Sequence, residues 1–325
     1  MLATLLAVAS AALSAAGGVP DASALPLEQA VGQRVVAALP GTTVPPSLAA
    51  AIRRGEVGGV ILFGRNVASR GQLRALTARL QAERRRGPRA LRDLPLLVMI
   101  DQEGGLVKRL PGAPAQSAGE LGARDDPALA RREGVATARN LRGVGVNVAQ
   151  FVPHGSIRRE VVGPDNRRPT PDELARMQAL VRRGMEAGAV GLSSGLYYTP
   201  GAYATTDELI ALARVVAESG GVYSSHIRDE ADYSVGVVAA VEEVVRIAEE
   251  ARVIGIVSHM KALGPRQWGL GRTLVDVVQR ARDRGVTVYA DQYPYEASGT
   301  SIWAALVPAW AQEGGRQRFV GRVTG

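Results

Sequence analysis

The segment from residue 222 to residue 259 reads VYSSHIRDEADYSVGVVAAVEEVVRIAEEARVIGIVSH, and it decides the fold class. A short apolar run opens it, a long stretch with apolar residues at helical spacing follows, and a second apolar run closes it. This order predicts a buried strand, an amphipathic helix and a parallel strand. The same alternation recurs along the chain beyond residue 30.

The chain contains eight such apolar runs, and several are rich in β-branched residues, as expected of strands buried on both faces. The runs are Arg34–Leu39, Gly58–Phe63, Leu96–Asp101, Val144–Val152, Ala189–Ser193, Val222–His226, Ile254–His259 and Val286–Asp291. Eight parallel strands can close a barrel, so we expect an α/β fold with a (β/α)8 TIM-like barrel. An open doubly wound sheet is the alternative, although no G-x-G-x-x-G follows the first run.

Side chains that cap a first helical turn mark the helix boundaries. Four such signals precede amphipathic stretches: Ser69 with Gln72, Asp126 before Pro127, Thr170 with Glu173, and Thr205 with Glu208. Gly220 and Gly285 stand where two helices should end, because glycine readily adopts the left-handed backbone found there. The polar, Arg-rich stretch 155–171 predicts a loop.

The 325-residue chain has a net charge of +8, carried mostly by arginine, and no cysteine. The lack of cysteine excludes disulfides and thiolate metal ligands. The arginines predict a solvated surface rather than a nucleic-acid site, because neither a basic face nor a nucleic-acid-binding module is recognisable. We therefore expect a small-molecule substrate and no nucleic-acid partner.

An apolar run, Leu2–Ala16, opens the chain and is too short to span a membrane. With Ala22–Ala24 as a cleavage site, it predicts a signal peptide over residues 1–24 and a periplasmic or secreted protein. An Ala-rich first helix in a cytoplasmic protein is the alternative. Neither interpretation includes stable membrane insertion.

The third apolar run ends in two carboxylates and a glycine pair, Asp101–Gly105, followed by Arg109. In a barrel, chemistry lies at the carboxyl ends of the strands. Asp101 could accept hydrogen bonds from two vicinal hydroxyls, and Arg109 could bind an anion or a carbonyl. A structural strand-end carboxylate is the alternative for Asp101.

Residues 30 to 148 resemble the glycoside hydrolase family 3 β-N-acetylhexosaminidases. The resemblance rests on Gly59–Phe63 with Arg65-Asn66, on Asp101–Gly105 with Arg109-Leu110, and on Gly145–Val148. It implies that Asp101 and Arg109 bind an amino sugar. Leu106 stands where the family has arginine, and the match ends before the family's later Lys-His strand, catalytic-loop histidine and aspartate nucleophile.

The three histidines, His154, His226 and His259, each stand in or just after an apolar run. Two imidazoles at adjacent strand ends can converge on one divalent metal, and zinc suits nitrogen ligands. A metal-free pair is the alternative for His226 and His259. For His154 a structural role is the favoured interpretation.

From Asn147 onward the chain resembles the N-acyl-D-amino-acid deacylases (D-aminoacylases) of the amidohydrolase superfamily. The resemblance rests on His154-Gly155 with Arg158, Gly191–Gly201, Ser225–Glu230, Ser258–Ala262, Gly264-Pro265 with Trp268-Gly269, and Ala290–Tyr295. It implies one zinc ion with His226 and His259 as ligands. It also implies that Tyr198 and Lys261 hold the substrate carboxylate, and we assign Arg228 to substrate binding.

The deacylase machinery is incomplete in this sequence. The family's first-strand His-x-His and its cysteine ligand are absent, and its late aspartate base lies beyond residue 325. Catalytic zinc sites usually have three protein ligands, so Asp291, Asp101 or Glu103 is the candidate for a third. Asp291 is also a candidate catalytic residue, although the sequence does not assign the general base.

The two resemblances meet near Val146–Val152 and divide the chain into half-barrels at residues 25–148 and 149–325. Counting strands across the seam gives four on each side. Either two half-barrels have recombined or two genes have fused, and an interface new to both families predicts loose packing.

Three functions remain open. The first is a metal-dependent hydrolase of N-acyl-D-amino acids or related cell-wall fragments. The second is a family 3-like β-N-acetylhexosaminidase. The third is a catalytically incomplete hybrid, or a barrel that binds sugars without turnover.

Overall fold

The computed structural model describes residues 25–324, except residues 106, 118, 119, 122, 123 and 125. This part of the chain divides into two compact units, residues 25–148 and 149–324, called here the N-terminal and C-terminal units. The predicted signal peptide and Leu106 lie outside the described residues. Both units combine helices with parallel strands, so the predicted α/β class is confirmed.

The N-terminal unit contains a three-stranded parallel sheet in the order β1-β2-β3 and a separate antiparallel hairpin, β4-β5. The strands are β1 (Val36–Ala38), β2 (Gly59–Leu62), β3 (Leu97–Ile100), β4 (Gln102–Gly104) and β5 (Val107–Lys108). The helices are α1 (Leu27–Gly32), α2 (Pro46–Arg54), α3 (Arg70–Arg85), α4 (Arg89–Arg92) and α5 (Pro127–Arg142). Apolar side chains of α2 and α3 join those of β2 and β3 in one buried cluster.

The C-terminal unit contains a five-stranded parallel sheet in the order β10-β9-β8-β7-β6. Its strands are β6 (Phe151–Pro153), β7 (Gly191–Gly195), β8 (Val222–His226), β9 (Ile254–Ser258) and β10 (Val288–Ala290). Its helices are α6 (His154–Val161), α7 (Pro171–Glu186), α8 (Thr206–Glu218), α9 (Val237–Ala251), α10 (Gly271–Asp283), α11 (Ile302–Leu306) and α12 (Gly315–Thr324). A large apolar cluster draws on α7 to α10 and the sheet. Gly191 is required where β7 meets β8, because a Cβ there would lie 1.9 Å from the carbonyl oxygen of Val222.

The predicted helix starts are confirmed by capping hydrogen bonds. Ser69, Asp126, Thr170 and Thr205 each accept a backbone N–H three residues ahead through the side-chain oxygen. At Thr170 the reciprocal bond also forms, because the Glu173 carboxylate accepts the Thr170 N–H at 2.8 Å. The Glu208 carboxylate instead turns into the core, so the box predicted at Thr205 is half formed.

The predicted closed barrel is not found in the described part of the chain, which holds one three-stranded and one five-stranded parallel sheet instead of four strands on each side of the seam. The run Val144–Val152 contributes only residues 151 and 152 to a strand. Asn147 donates its N–H to Val98 O at 3.0 Å, and its side-chain oxygen accepts the Val98 N–H at 2.8 Å. The Asn147 side chain, and not a backbone carbonyl, accepts the Val98 N–H. The contact with β3 therefore does not continue as paired strands.

The predicted loop 155–171 is wrong in its first half, because residues 154–161 form α6. A Cβ added at Gly155 would meet no atom within 4 Å, so packing in this helix does not require glycine at that position. Among the helices of the described residues, none is both long and apolar enough to cross a bilayer.

Candidate functional site

In the N-terminal unit, Asp101 and Arg109 lie together just beyond β3. Arg109 Nη2 lies 3.8 Å from Asp101 Oδ2, and about a third of each side chain is exposed (31% and 34%). The Gln102 side chain fixes this arrangement, since its oxygen accepts the N–H groups of Arg109 at 3.1 Å and Leu110 at 2.9 Å. Arg109 Nε is buried and has no hydrogen-bond partner among the described residues. Asp101 can therefore still accept a hydrogen bond from a ligand, and Arg109 can still donate one.

In the C-terminal unit, His226 and His259 meet at the carboxyl ends of two neighbouring strands. The parallel register pairs His226 of β8 with Ser258 of β9, and His259 follows directly. The ring centroids lie 4.3 Å apart, and His226 Nδ1 contacts His259 Nε2. Desolvation by the surrounding protein, followed by repulsion from His259, lowers the pKa of His226 to about 4, although part of its ring is open to solvent. His226 is therefore neutral at pH 7, the form of imidazole that binds metals.

Glu230 connects His259 with Lys261. Its Oε1 lies 3.0 Å from His259 Nδ1 and 2.5 Å from Lys261 Nζ, while Lys261 Nζ lies 2.8 Å from His259 Nδ1. Burial alone would raise the pKa of Glu230, but the hydrogen bonds of His259 and Lys261 outweigh it and lower that pKa. A carboxylate at Nδ1 favours the tautomer with hydrogen on Nδ1, which leaves the Nε2 lone pair available.

Asp291 holds the backbone of His259. His259 has a φ of +40°, a left-handed conformation that is uncommon for residues other than glycine. Its N–H donates to Asp291 Oδ1 at 2.6 Å, and the next N–H, of Met260, donates to Asp291 O at 2.8 Å. Two contacts from one residue thus stabilise a strained turn, and catalysis by Asp291 stays a prediction.

Tyr198 lies beside His226. The ring centroids of Tyr198 and His226 are 6.5 Å apart. The Tyr198 hydroxyl is 3.2 Å from Thr300 Oγ1, and 39% of the residue is exposed, so the phenol can reach a ligand. Tyr198 is thus a neighbour of His226, as Lys261 is of His259.

Arg228 is engaged within the protein. Its Nε and Nη2 donate to the two carboxylate oxygens of Glu243 at 2.9 and 2.8 Å. Nη1 and Nη2 also donate to the carbonyl oxygens of Ala202 and Ala204, both at 2.9 Å. This geometry gives Arg228 a structural role in the loop after β7, and substrate binding by Arg228 stays a prediction.

The histidine pair fits zinc as two of its ligands. Both are imidazoles on adjacent strand ends, and Glu230 orients His259 as second partners of zinc-bound histidines commonly do. No group of three His, Cys, Asp or Glu side chains that could hold a metal occurs among the described residues. A third ligand from Asp291, Asp101 or Glu103 stays a prediction.

His154 lies away from this pair, in a fully buried ionic cluster. His154 Nε2 is 2.9 Å from Glu208 Oε1, and Arg158 Nη1 contacts Glu208 Oε2. Arg158 also donates from Nε to Pro200 O at 3.0 Å and from Nη2 to Arg167 O at 2.6 Å. The cluster ties α6 and α8 to the Tyr198–Pro200 turn, which agrees with a structural His154.

Sequence reasoning missed the roles of Glu230 and Glu208. Glu230 stands four residues after His226, so an acid close behind a strand-end histidine was the signal for it. The spacing of Thr205 and Glu208 predicts a capping role for Glu208 and gives no sign of its burial. Its burial depends on Arg158, more than one strand–helix unit earlier in the chain.

Comparison with known proteins gives a mixed result. The family model described as glycosyl hydrolase family 3 N terminal domain matches residues 28–169. A beta-hexosaminidase of Bordetella pertussis is 39% identical over 124 residues, which are 35% of this chain and 32% of that protein.

Deacylases are also among the relatives. The N-acyl-D-glutamate deacylase of Alcaligenes xylosoxydans xylosoxydans is 37% identical over 193 residues, which are 59% of this chain and 38% of that protein. An N-acyl-D-glutamate deacylase from Bordetella bronchiseptica, solved with zinc and a phosphonate inhibitor, shares 42% identity, with a TM-score of 0.46 over 50% of this chain and 33% of that one. The chain thus resembles both hydrolase families and spans about a third of the length of the curated deacylases that it matches.

The buried cluster generates a stability prediction. Glu208→Gln leaves the Arg158 guanidinium buried without a counter-charge, so we expect a loss of about 3 kcal/mol or more in the free energy of unfolding. Urea unfolding followed by tryptophan fluorescence measures it, because all three tryptophans lie in the C-terminal unit. Glu186→Gln, at an exposed position of α7, is the matched control. Equal stability of the two variants would contradict the prediction.

Proposed function

We propose that the chain is a metal-dependent amide hydrolase that acts on N-acyl-D-amino acids or related cell-wall fragments. The observation that carries the proposal is the convergence of His226 and His259 beside Lys261, whose Nζ lies 2.8 Å from His259 Nδ1. A pair of metal-binding nitrogens next to a fixed cation suits a substrate with a carboxylate close to its amide. The similarity to deacylases supports the same class.

One zinc ion is the proposed cofactor, with His226 Nδ1 and His259 Nε2 as its ligands. When bound, zinc supplies a Lewis acid for the amide carbonyl. Glu230 keeps the hydrogen of His259 on Nδ1, and Asp291 keeps its backbone in place. Both are positioning residues, because they act through His259.

Lys261 and Tyr198 are proposed to hold the substrate carboxylate. Lys261 Nζ donates to Glu230 Oε1 at 2.5 Å and to His259 O at 3.0 Å, and it also lies 2.8 Å from His259 Nδ1. These contacts fix the position of the ammonium, and its positive charge would attract the carboxylate. The Tyr198 hydroxyl approaches from the His226 side, so the carboxylate would lie between a cation and a phenol.

A periplasmic or secreted location belongs to this proposal as well. Cell-wall fragments occur in that compartment, and the apolar opening segment of the sequence favours export. Sequencing the N-terminus of the mature protein recovered from the periplasm or the medium tests this location.

The first prediction concerns metal content and turnover. Purified full-length protein dialysed against buffered zinc should retain close to one equivalent and release acetate from N-acetyl-D-amino acids. His226→Ala removes one nitrogen ligand and should lose both properties, whereas Glu242→Gln, an exposed change on α9, should keep both. Zinc measured by mass spectrometry, together with acetate release, checks this. Wild-type protein without zinc and without deacylation would contradict the proposal.

The second prediction tests whether the charge of Glu230 orients His259 as a zinc ligand. Glu230→Gln keeps the side-chain shape but removes the charge that orients His259, so zinc affinity should fall about 10- to 100-fold. Competition with a chromogenic chelator measures the affinity, again with Glu242→Gln as control. An affinity unchanged within about twofold would show that Glu230 does not position the ligand.

A family 3-like glycosidase or a sugar-binding hybrid is the second candidate, and the family model match over residues 28–169 favours it. Asp101 and Arg109 would bind the hydroxyls and the acetamide of N-acetylglucosamine. Calorimetry should then detect N-acetylglucosamine binding that Asp101→Asn weakens on the order of tenfold, because a hydrogen bond to a charged group is lost. Release of the aryl group from an aryl N-acetylglucosaminide would indicate a glycosidase rather than a sugar-binding hybrid. No binding of N-acetylglucosamine would exclude both of these functions.

A further inference from the structure

Arginines gather in the N-terminal unit where α2 and α3 end and α4 follows. The buried carboxylate of Glu83 binds three of them, Arg53 and Arg79 at 2.6 Å and Arg86 at 3.3 Å. The turn after α3 packs on the end of α2, since a Cβ at Gly87 would lie 3.2 Å from Arg53 O. The arginine cluster, as it is called here, consists of Arg53, Arg54, Arg79, Arg84, Arg85, Arg86, Arg89 and Arg92.

Helix α1 is fixed to the arginine cluster by one glutamine. Gln33, directly after α1, donates from Nε2 to Gly55 O at 2.7 Å, and its Oε1 accepts from Arg84 Nη2 at 2.6 Å. Arg84 is buried and also donates from Nε to Leu94 O at 3.0 Å. A buried arginine thus ties the end of α1 to α3, so α1 has a defined position beside the exposed members of the cluster.

The exposed face of α1 is apolar. Leu27 and Val31 are four residues apart in the helix and share a face, with 74% and 52% of their surfaces exposed. Val35, just beyond the helix, is 43% exposed. Single exposed apolar side chains are common, but three of them beside a cluster of arginines are typical of a segment that lies in a membrane interface.

This surface has a large excess of positive charge. Residues 27–35, 53–56 and 79–93 together carry nine arginines against four carboxylates, an excess of five charges. Arg85 and Arg89 are exposed, and neither forms an ion pair or a hydrogen bond with another described residue. Their charges therefore remain available to an anionic partner.

The surface lies at the amino ends of the parallel strands. Gln33, Glu56 and Leu94 each stand three residues before a strand, namely β1, β2 and β3. Asp101 follows β3 at its carboxyl end, so the pair of Asp101 and Arg109 lies at the opposite end of this sheet. A partner bound at the arginine cluster would therefore leave that pair accessible.

We infer that the arginine cluster and the exposed face of α1 form a docking surface for a bilayer that contains anionic phospholipids. The arginines would contact lipid phosphates, and Leu27, Val31 and Val35 would enter the boundary between headgroups and acyl chains. Nucleic acid fits less well, because these segments contain no aromatic side chain for base stacking and the apolar residues would stay in water. The inference does not depend on the proposed function.

Co-sedimentation of the full-length protein with vesicles tests the inference. The protein should sediment with vesicles of equal parts phosphatidylglycerol and phosphatidylcholine but not with phosphatidylcholine alone, and added salt should weaken the binding. Arg85→Gln with Arg89→Gln should weaken it on the order of tenfold, because each basic residue near an anionic surface contributes to the affinity. Arg272→Gln with Arg280→Gln, an equal change of charge at exposed positions of α10, should leave the binding unchanged.

The apolar face of α1 has a test of its own. Leu27→Ser with Val31→Ser keeps every charge and should weaken vesicle binding on the order of tenfold, because less apolar surface then leaves water. Both side chains are exposed, so urea unfolding should match that of the wild type and show that the variant is folded.

Three outcomes would overturn the inference. The first is no binding to vesicles that contain phosphatidylglycerol. The second is equal binding to both kinds of vesicle that the arginine substitutions do not change, which would assign membrane contact to the apolar opening segment of the sequence. The third is full binding by the α1 variant together with equal affinity for a DNA duplex, which would make the cluster a general polyanion site.

Discussion

The parallel pairing of β8 with β9 is the constraint on which the candidate site depends. His226 lies opposite Ser258 in this register, so the residue after Ser258 reaches the same edge of the sheet as His226. A shift of one residue would turn one imidazole toward the opposite face. The left-handed turn at His259, held by Asp291, then directs the second ring toward the first. Backbone geometry therefore brings together two nitrogens that lie 33 residues apart.

Buried charge organises the rest of the C-terminal unit. Arg158 and Glu208 are removed from water, which is costly unless each finds a partner of opposite charge and further hydrogen bonds. Glu208 meets this requirement with Arg158 and His154, and Arg158 adds the carbonyl groups of Pro200 and Arg167. The cluster therefore holds the turn that carries Tyr198. The position of Tyr198 in the proposed carboxylate site thus depends on the buried Arg158–Glu208 ion pair.

Local signals in the sequence were sufficient for the strands and helix caps, because periodicity and capping depend on neighbouring residues. Seven of the eight predicted runs contain a strand within or largely within their bounds, whereas Val144–Val152 contributes little to β6. The strand predicted over residues 144–152 is wrong for most of its length, because the Asn147 side chain replaces a backbone hydrogen bond to β3. This is a tertiary contact, which the apolar character of the run does not reveal. The pairing of Arg228 with Glu243 and the bridging position of Glu230 depend likewise on contacts made between separate elements.

The chain resembles two hydrolase families, and the residues proposed to bind a sugar, Asp101 and Arg109, and those proposed to bind a metal, His226 and His259, lie in separate units. The central claim is that the two histidines are zinc ligands. X-ray absorption at the zinc edge of the loaded full-length protein tests it most directly, since imidazole ligands give characteristic multiple scattering. We predict two imidazoles per zinc, with nitrogen at about 2.0–2.1 Å and oxygen completing the shell. A spectrum without imidazole scattering would contradict the account.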